Sequence, residues 1–226
     1  MKPENLKYPF SRETKRVLIQ DRVWFVPGDT PLDTFTFPGW TDPGVFSSKQ
    51  PIKLEYCSGN GAWIAAKAIQ EPLSNWVAIE RKFTRVRKIW SKLRNLDLNN
   101  LLIICGEGEG VTEHYFPARS VSEIFINFPD PWPKRRHARN RIIQSSFIQE
   151  LSRILQVNGI ITFVTDDPQF SDWSIRLFRQ AKELESCYPE PYYLNEFPDY
   201  GTSFFEDLWR EKGKQIRYHQ FRKKSL

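Results

Sequence analysis

Residues 52–61, Ile-Lys-Leu-Glu-Tyr-Cys-Ser-Gly-Asn-Gly, join a short apolar run to a turn that contains two glycines. The apolar run predicts a buried strand over 52–57, and the Ala- and Ile-rich residues that follow predict a helix over 59–70. Gly59 and Gly61 let the backbone turn sharply into that helix and approach a ligand closely. A second predicted strand, 76–80, ends on Glu80.

The chain beyond residue 80 keeps the same alternation of strand and helix. Helices are predicted over 82–94, 142–155 and 168–183, and strands over 101–105, 121–128 and 160–165, with a final strand over 215–221. Five strand–helix units in series predict an α/β fold whose mostly parallel sheet has helices on both faces. Ligands of such sheets bind beyond the carboxyl ends of the strands.

The first 50 residues differ from the rest of the chain. Prolines and glycines recur every few residues around one apolar segment at 23–26, which predicts an irregular N-terminal arm. We therefore divide the chain into an arm over 1–50 and one domain over 51–226.

Composition excludes several classes of protein. The chain has 226 residues, of which 40% are hydrophobic and 27% charged, and no apolar run approaches the roughly 18 residues of a membrane span. Three widely spaced cysteines, at 57, 105 and 187, fit neither a disulfide framework nor a metal site, so we expect no metal and a cytoplasmic protein. The net charge of +6 and pI near 9.2 favour a nucleic-acid partner, and the lack of a spanning apolar run predicts no membrane.

Acidic residues follow the predicted strands where a cofactor would bind. They are Glu55, Glu80, Glu107 and Asp130. An acid at the Glu80 position accepts hydrogen bonds from ribose hydroxyls, although a solvated strand end and a purely structural turn remain alternatives. The motif of a dinucleotide site is incomplete, because Ile64 stands where its last glycine belongs. Acids repel a pyrophosphate and suit a cationic sulfonium ligand, which favours S-adenosylmethionine.

A proline-rich loop follows the fourth strand. Three prolines in five residues, 129–133, surround Asp130 and restrict the backbone, so that one carboxylate is held rigidly. Five cations follow within eight residues, and this run suits phosphate contacts, with a solvated loop as the alternative. They are Lys134, Arg135, Arg136, Arg139 and Arg141.

The stretch 127–142, Asn-Phe-Pro-Asp-Pro-Trp-Pro-Lys-Arg-Arg-His-Ala-Arg-Asn-Arg-Ile, resembles the signature of tRNA (guanine-N7)-methyltransferases. The resemblance extends from about residue 52 to the C-terminus and implies a Rossmann-like class I methyltransferase fold. It implies methyl transfer from S-adenosylmethionine to N7 of the variable-loop guanine, position 46 in tRNA nomenclature. The partner is then tRNA, and the oligomeric state, monomer or homodimer, stays open.

The resemblance also assigns roles to individual residues. Positions that line the cofactor site match Glu55, Gly59, Gly61, Glu80, Glu107 and Asp130, and Asp130 also matches the catalytic acid. Positions that contact the substrate match Lys134, Arg135, Arg136, Arg139, Arg141, Asp166, Thr202, Ser203, Phe205 and Glu206.

Three departures from the family pattern affect these roles. Cys57 replaces the first glycine of the turn, and because cysteine does not easily adopt a positive φ, we expect a displaced turn or a weaker grip on the cofactor. Glu107 replaces a common aspartate. The family's T-x-F/Y-E motif falls on residues 202–206 with either Thr202 or Ser203 at the threonine position.

Two other functions stay open. A methyltransferase acting on an exocyclic amine of nucleic acid uses a superficially similar D/N-P-P-Y/W turn, but only one proline separates Asp130 from Trp132 here. A non-catalytic RNA-binding module on the same fold is the second alternative.

Guanine N7 carries a lone pair and no proton, so either Asp130 or Glu206 would act by accepting hydrogen bonds from guanine N1–H and its amine.

Overall fold

The computed structural model describes residues 1–8, 11, 13–28, 31–201 and 203–225, apart from the side chains of Leu32 and Arg135. The chain divides into two compact units, Met1–Phe116 and Pro117–Leu226. The division of the sequence into an arm and a domain stays a prediction.

The described residues of the first unit form five strands and three α-helices. They are β1 (Leu18–Gln20), β2 (Val23–Phe25), β3 (Ile52–Tyr56), α1 (Ala62–Gln70), β4 (Asn75–Glu80), α2 (Phe83–Asn95), β5 (Leu101–Cys105) and α3 (Gly108–Tyr115). The strand order is β1-β2-β5-β4-β3. The pair β1–β2 is antiparallel, and the other three pairs are parallel.

Burial explains why these strands form. All residues of β4 and β5 are buried, as expected for parallel strands covered on both faces. The register pairs Glu80 at the end of β4 with Cys105 at the end of β5. The carboxyl ends of these strands therefore lie side by side and bring their loops to one edge of the sheet.

Part of the predicted arm belongs to the first unit's sheet. Strand β2 pairs with β5, and Trp24 in β2 is fully buried. The Trp24 ring stacks on Phe37 with centroids 4.8 Å apart and also contacts Tyr115 of α3. Aromatic packing thus fixes residues that the proline and glycine pattern marks as irregular.

In the described part of the second unit there are four strands and three α-helices. They are β6 (Val121–Asn127), α4 (Ser145–Ile154), β7 (Leu155–Thr165), α5 (Pro168–Gln180), β8 (Leu184–Ser186), α6 (Phe204–Glu211) and β9 (Arg217–Lys223), with a 3₁₀ helix over Arg135–Asn140. The strand order is β6-β7-β9-β8. The pair β6–β7 is parallel, and β9 runs antiparallel to both of its neighbours.

Most predicted elements are confirmed, one strand starts earlier than predicted, and one helix was not predicted. Strand β7 begins at Leu155 rather than at residue 160, because an irregularity in its pairing with β6 absorbs the residues around Asn158, whose φ is 63°. Helix α3 was not predicted, since Gly108 and Gly110 lower its helix propensity. Among the described residues no helix has the length and apolarity that a membrane crossing requires.

Candidate functional site

The glycine turn after β3 is held by a buried acid. The Glu80 side chain is 4% exposed. Its Oε2 accepts the Gly59 backbone N–H at 3.0 Å, and its Oε1 accepts the Lys82 N–H at 2.8 Å. Arg85 Nη1 lies 3.6 Å from Oε2. The carboxylate therefore connects the turn after β3 to the start of α2.

Cys57 adopts the left-handed conformation that the replaced glycine would favour. Its φ is 62°, and Gly59 and Gly61 follow with φ of 58° and 72°. Cysteine thus adopts a positive φ here despite its Cβ, as hydrogen bonds around the turn favour this geometry, and the displacement of the turn stays a prediction. Whether the cofactor is held less tightly stays a prediction.

Gly61 is required both by its conformation and by its surroundings. A Cβ at this position would lie 2.8 Å from Cγ1 of Ile89 on α2. Lys92, one turn further along α2, donates from Nζ to the Asn60 carbonyl at 3.0 Å. Burial, and secondarily Lys88, lowers the pKa of Lys92. Lys92 of α2 thus helps to hold the turn.

The two other predicted cofactor acids of the first unit differ in environment. Glu55 is 2% exposed, whereas the Glu107 side chain is 59% exposed and lies 3.5 Å from Arg81 Nη1. Cys105, which pairs with Glu80 across the strands, has its pKa raised to about 12 by burial and by that carboxylate. Cys105 is therefore a protonated structural thiol.

The proline-rich turn of the second unit presents Asp130 to solvent. Asp130 is exposed, and no side-chain hydrogen bond or ion pair to it is found among the described residues. Phe128 and Trp132, two residues to either side, have φ of 47° and 44°. Non-glycine residues rarely hold this conformation unless their surroundings fix it.

Arg141 supplies the contacts that fix this turn. Its guanidinium donates from Nε to the Pro131 carbonyl at 2.8 Å and from Nη2 to the Trp132 carbonyl at 3.2 Å. The same group lies over the rings of Trp173 and Phe170, 5.0 and 5.4 Å from their centroids. Arg141 is 7% exposed, so its described contacts position the turn. Its predicted substrate contact stays a prediction.

Three other members of the basic run face solvent. Lys134, Arg136 and Arg139 are exposed on or beside the 3₁₀ helix. Their exposure leaves the cations accessible to phosphates of a large anionic substrate. The side chain of Arg135 lies outside the described part of the chain.

The T-x-F/Y-E region forms the start of α6. Ser203 is the N-cap, and its Oγ accepts the Glu206 backbone N–H at 3.2 Å. Phe205 is half-buried and Glu206 is 4% exposed. Thr202 lies outside the described residues, so the register of the motif stays open.

Glu206 and Asp166 both pair with cations of the second unit. Glu206 Oε1 accepts from Tyr218 Oη at 2.5 Å and from Arg210 Nε at 3.1 Å. Asp166, beyond the end of β7, forms an ion pair with Lys214. In the described part of the chain no three His, Cys, Asp or Glu side chains cluster in a way that suits a metal ion.

Comparisons with known proteins identify the family. Residues 49–218 match a family model described as "Putative methyltransferase". The tRNA (guanine-N(7)-)-methyltransferase of Chlamydia caviae is 42% identical over 225 residues, which cover 99% of each chain. That of Leptospira interrogans is 37% identical over 169 residues, 73% of this chain and 75% of the relative.

The chain belongs to the tRNA (guanine-N7)-methyltransferase family. The resemblance in the sequence is thereby confirmed. The Chlamydia caviae relative aligns with almost the whole chain, so the similarity includes the first 50 residues, in which the sequence alone gave no family signal.

Solved structures of methyltransferases share the fold of this family member. The aminoglycoside resistance methyltransferase NpmB1 has a TM-score of 0.56 at 18% identity, covering 78% of this chain and 89% of its own. A SAM-dependent methyltransferase from Aquifex aeolicus has a TM-score of 0.54 at 14% identity, covering 84% and 96%. The predicted Rossmann-like fold is confirmed.

Some residues that shape the site in this family member were missed by sequence reasoning. Glu206 and Arg210 are four residues apart, and this spacing on a helix indicates an ion pair. The sequence therefore contained a signal for this contact. Tyr218 offered no such signal, because its hydroxyl reaches Glu206 only through the folding of β9. Arg141 was counted with the basic run, although its described contacts are to the turn and to aromatic rings.

Proposed function

We propose that this chain transfers a methyl group from S-adenosylmethionine to N7 of the variable-loop guanine, position 46, of tRNA. The observation that carries the proposal is the turn around Asp130, which leaves one carboxylate exposed on a backbone fixed by Arg141. This turn lies in the part of the sequence that resembles the family signature.

The first unit offers a donor set that fits S-adenosylmethionine. Glu80 already accepts one backbone N–H on each oxygen, and each oxygen keeps a lone pair for a ribose hydroxyl. Glu55 and Glu107 add negative charge that suits a sulfonium and an ammonium group, while Gly59 and Gly61 shape the turn. When bound, the cofactor supplies an electrophilic methyl group. The expectation of no metal stays a prediction.

The second unit would orient the guanine. Because N7 has an in-plane lone pair and no proton, the protein needs no base to activate it. Asp130 would accept hydrogen bonds from the N1–H and amine edge, hold the base in place and shift electron density toward N7. Asp130 remains our candidate catalytic residue, with Glu206 as a second acceptor.

The exposed cations would hold the tRNA backbone. Lys134, Arg136 and Arg139 are accessible, and Arg135 belongs to the same run of the sequence. Neutralising phosphates releases counterions, so the affinity should fall with salt at a log–log slope of roughly 0.7 to 0.9 per phosphate. Asp166, which pairs with Lys214, is a further candidate for contact with the substrate. The cytoplasmic location stays a prediction.

The test is methyl transfer from labelled S-adenosylmethionine to an unmodified tRNA transcript, with the product identified by nucleoside mass spectrometry. We expect 7-methylguanosine, confined to the variable loop. Asp130→Asn should lower kcat about a hundredfold, and the cofactor affinity of the variant, measured separately, tests whether Asp130 also lines the cofactor site. Asp172→Asn, which changes an exposed aspartate of the same unit that pairs with Arg217, serves as the matched control.

The alternatives give different products. Methyl on an exocyclic amine would favour the second enzyme class, and tRNA binding without transfer would indicate an RNA-binding module. Near-normal turnover by Asp130→Asn would remove the role proposed for Asp130.

A further inference from the structure

A buried polar cluster surrounds Glu206. Oε1 of this residue accepts from Tyr218 Oη at 2.5 Å and from Arg210 Nε at 3.1 Å, and Arg210 Nη2 also donates to Tyr218 Oη at 3.1 Å. Glu206 and Tyr218 are 4% and 1% exposed. Two donors from two different elements, α6 and β9, thus converge on one carboxylate oxygen.

The other carboxylate oxygen has no such partner. Glu206 Oε2 is buried and has no hydrogen-bond donor among the described residues. Buried polar atoms are nearly always paired, and an unpaired one in a folded protein calls for an explanation such as a missing ligand. The carboxylate is therefore asymmetric, with one oxygen held by the protein and the other available as an acceptor.

The groups that hold Oε1 are themselves fixed as donors. Burial, and secondarily the hydrogen bond to Glu206, raises the pKa of Tyr218, so its phenol stays protonated. Burial opposes the charge of Arg210, but hydrogen bonds to Glu196, Tyr218 and Glu206 outweigh it and raise the pKa of Arg210. Arg210 reaches both oxygens of Glu196, at 3.1 and 3.3 Å, in the forked geometry that fixes a guanidinium.

The cluster also connects to the strand that precedes the Asp130 turn. The Tyr200 ring packs edge-on against Tyr218, with centroids 5.4 Å apart. Tyr200 Oη donates to Asn127 Oδ1 at 2.6 Å, and Asn127 is the last residue of β6. The position of Glu206 is thus coupled within the second unit to the strand that precedes the Asp130 turn.

We propose that Arg210 and Tyr218 are positioning residues that orient Glu206 so that Oε2 accepts a hydrogen bond from the exocyclic amine of the target guanine. The inference rests on the proposed function. Because Oε2 is buried, the guanine must displace the part of the chain that covers it. A bond formed there is shielded from water and contributes strongly to the choice of base.

The experiment compares tRNA transcripts that carry guanine or inosine at the target position, because inosine keeps N7 and N1–H and lacks the amine. The variants are Tyr218→Phe and Arg210→Gln, each measured for kcat, KM and cofactor affinity. Tyr188→Phe removes a different tyrosine hydroxyl, which donates to Gln220 on β9 at 2.7 Å, and is the matched control. Arg153→Gln removes a helix ion pair with Glu150 and controls for the loss of an arginine.

We expect the wild type and both controls to prefer guanine over inosine by about tenfold or more in kcat/KM. In Tyr218→Phe and Arg210→Gln the preference should fall toward unity, with cofactor affinity unchanged. Arg210→Lys keeps the positive charge and loses the forked guanidinium geometry. It should retain part of the preference for guanine. Each variant is assayed below its measured melting transition.

Two results would overturn the inference. One is a wild type that methylates both transcripts equally well. The other is a pair of variants that lose activity to the same extent on both transcripts, which would indicate a purely structural role. A wild type that makes no 7-methylguanosine would instead contradict the proposed function, so the two failures are distinguishable.

Discussion

The turn at 57–61 and the turn at 128–132 reach rigidity by opposite means. The first turn contains glycines and is held by a hydrogen bond from its Gly59 N–H to the buried carboxylate of Glu80. The second contains prolines, which have no N–H, and is held through its carbonyls by the buried guanidinium of Arg141. The type of backbone group that a turn leaves unpaired decides which charge can hold it.

Both turns keep non-glycine residues at positive φ, namely Cys57, Phe128 and Trp132. Such residues store conformational strain that the buried anchor must offset. Neither anchor lies within its turn, since Arg141 is 9 and 10 residues from the carbonyls it holds and Glu80 is 21 residues from Gly59, so each turn depends on contacts beyond its own residues. Loss of an anchor should therefore affect the turn more than loss of a solvated charge nearby.

The largest effect is expected from Arg141→Leu. This change removes two charge-assisted hydrogen bonds and the packing on Trp173, which should lower the free energy of unfolding by about 4 kcal/mol. Methyl transfer should fall further than stability alone explains, because Asp130 loses its fixed position. Urea unfolding and a transfer assay measure both effects. Arg139→Leu, which removes an exposed cation, is the control, and equal losses in the two variants would contradict the role of Arg141.

Acid should weaken the unit that carries the proline turn. His219 is fully buried, its Nε2 lies 2.8 Å from Ser171 Oγ, and burial lowers its pKa to about 4 from 6.5. The unfolded state therefore binds more protons, so stability is complete above pH 6.5 and falls by about 3 kcal/mol as the pH drops to 4. Urea unfolding at pH 7 and 4.5 measures the loss.

His219→Gln should flatten this pH dependence, whereas His114→Gln, in the exposed part of α3, should leave it unchanged. If the pH dependence of stability persists in His219→Gln, other titrating groups cause it. Hydrogen exchange of the backbone amides would show whether the second unit opens before the first.

Glu80→Gln tests the anchor of the glycine turn. The amide keeps one acceptor and turns its NH₂ toward a backbone N–H. This loss of an acceptor should weaken the binding free energy of the cofactor by about 2 kcal/mol. Calorimetric titration with S-adenosylhomocysteine should show a roughly thirtyfold weaker affinity. Glu107→Gln, whose side chain is mostly exposed, should change affinity far less. If both variants bind equally well, the turn does not depend on the buried carboxylate.

The smallest effect is expected from Cys57→Gly, which removes the strain of a Cβ at φ 62°. Stability should rise by about 1 kcal/mol. Cys57→Ala removes the thiol and keeps the strain, so it should not reproduce the gain. Thermal melting of the two variants distinguishes them, and a gain of equal size in both would mean that the thiol rather than the backbone matters.

Much of the fold could be predicted because its signals are local. The buried strands are short apolar runs, and Val86, Ile89, Trp90 and Leu93 line one face of α2 at helical spacing. Placing Glu80 and Glu107 at one sheet edge followed from the rule that parallel strands end together. The short strands of the arm were not predicted, because their pairing with β5 is a non-local contact.

The sequence by itself determined the class of fold, the family and which acids and cations follow the strands, because apolar periodicity and the motif at 127–142 are properties of neighbouring residues. Only the tertiary structure decided which of these groups are held and which are accessible. It buried Arg141 behind the proline turn, left Asp130 exposed and placed Tyr218 against Glu206. These roles depend on hydrogen bonds between residues distant in sequence, and spacing along the chain carries no information about them.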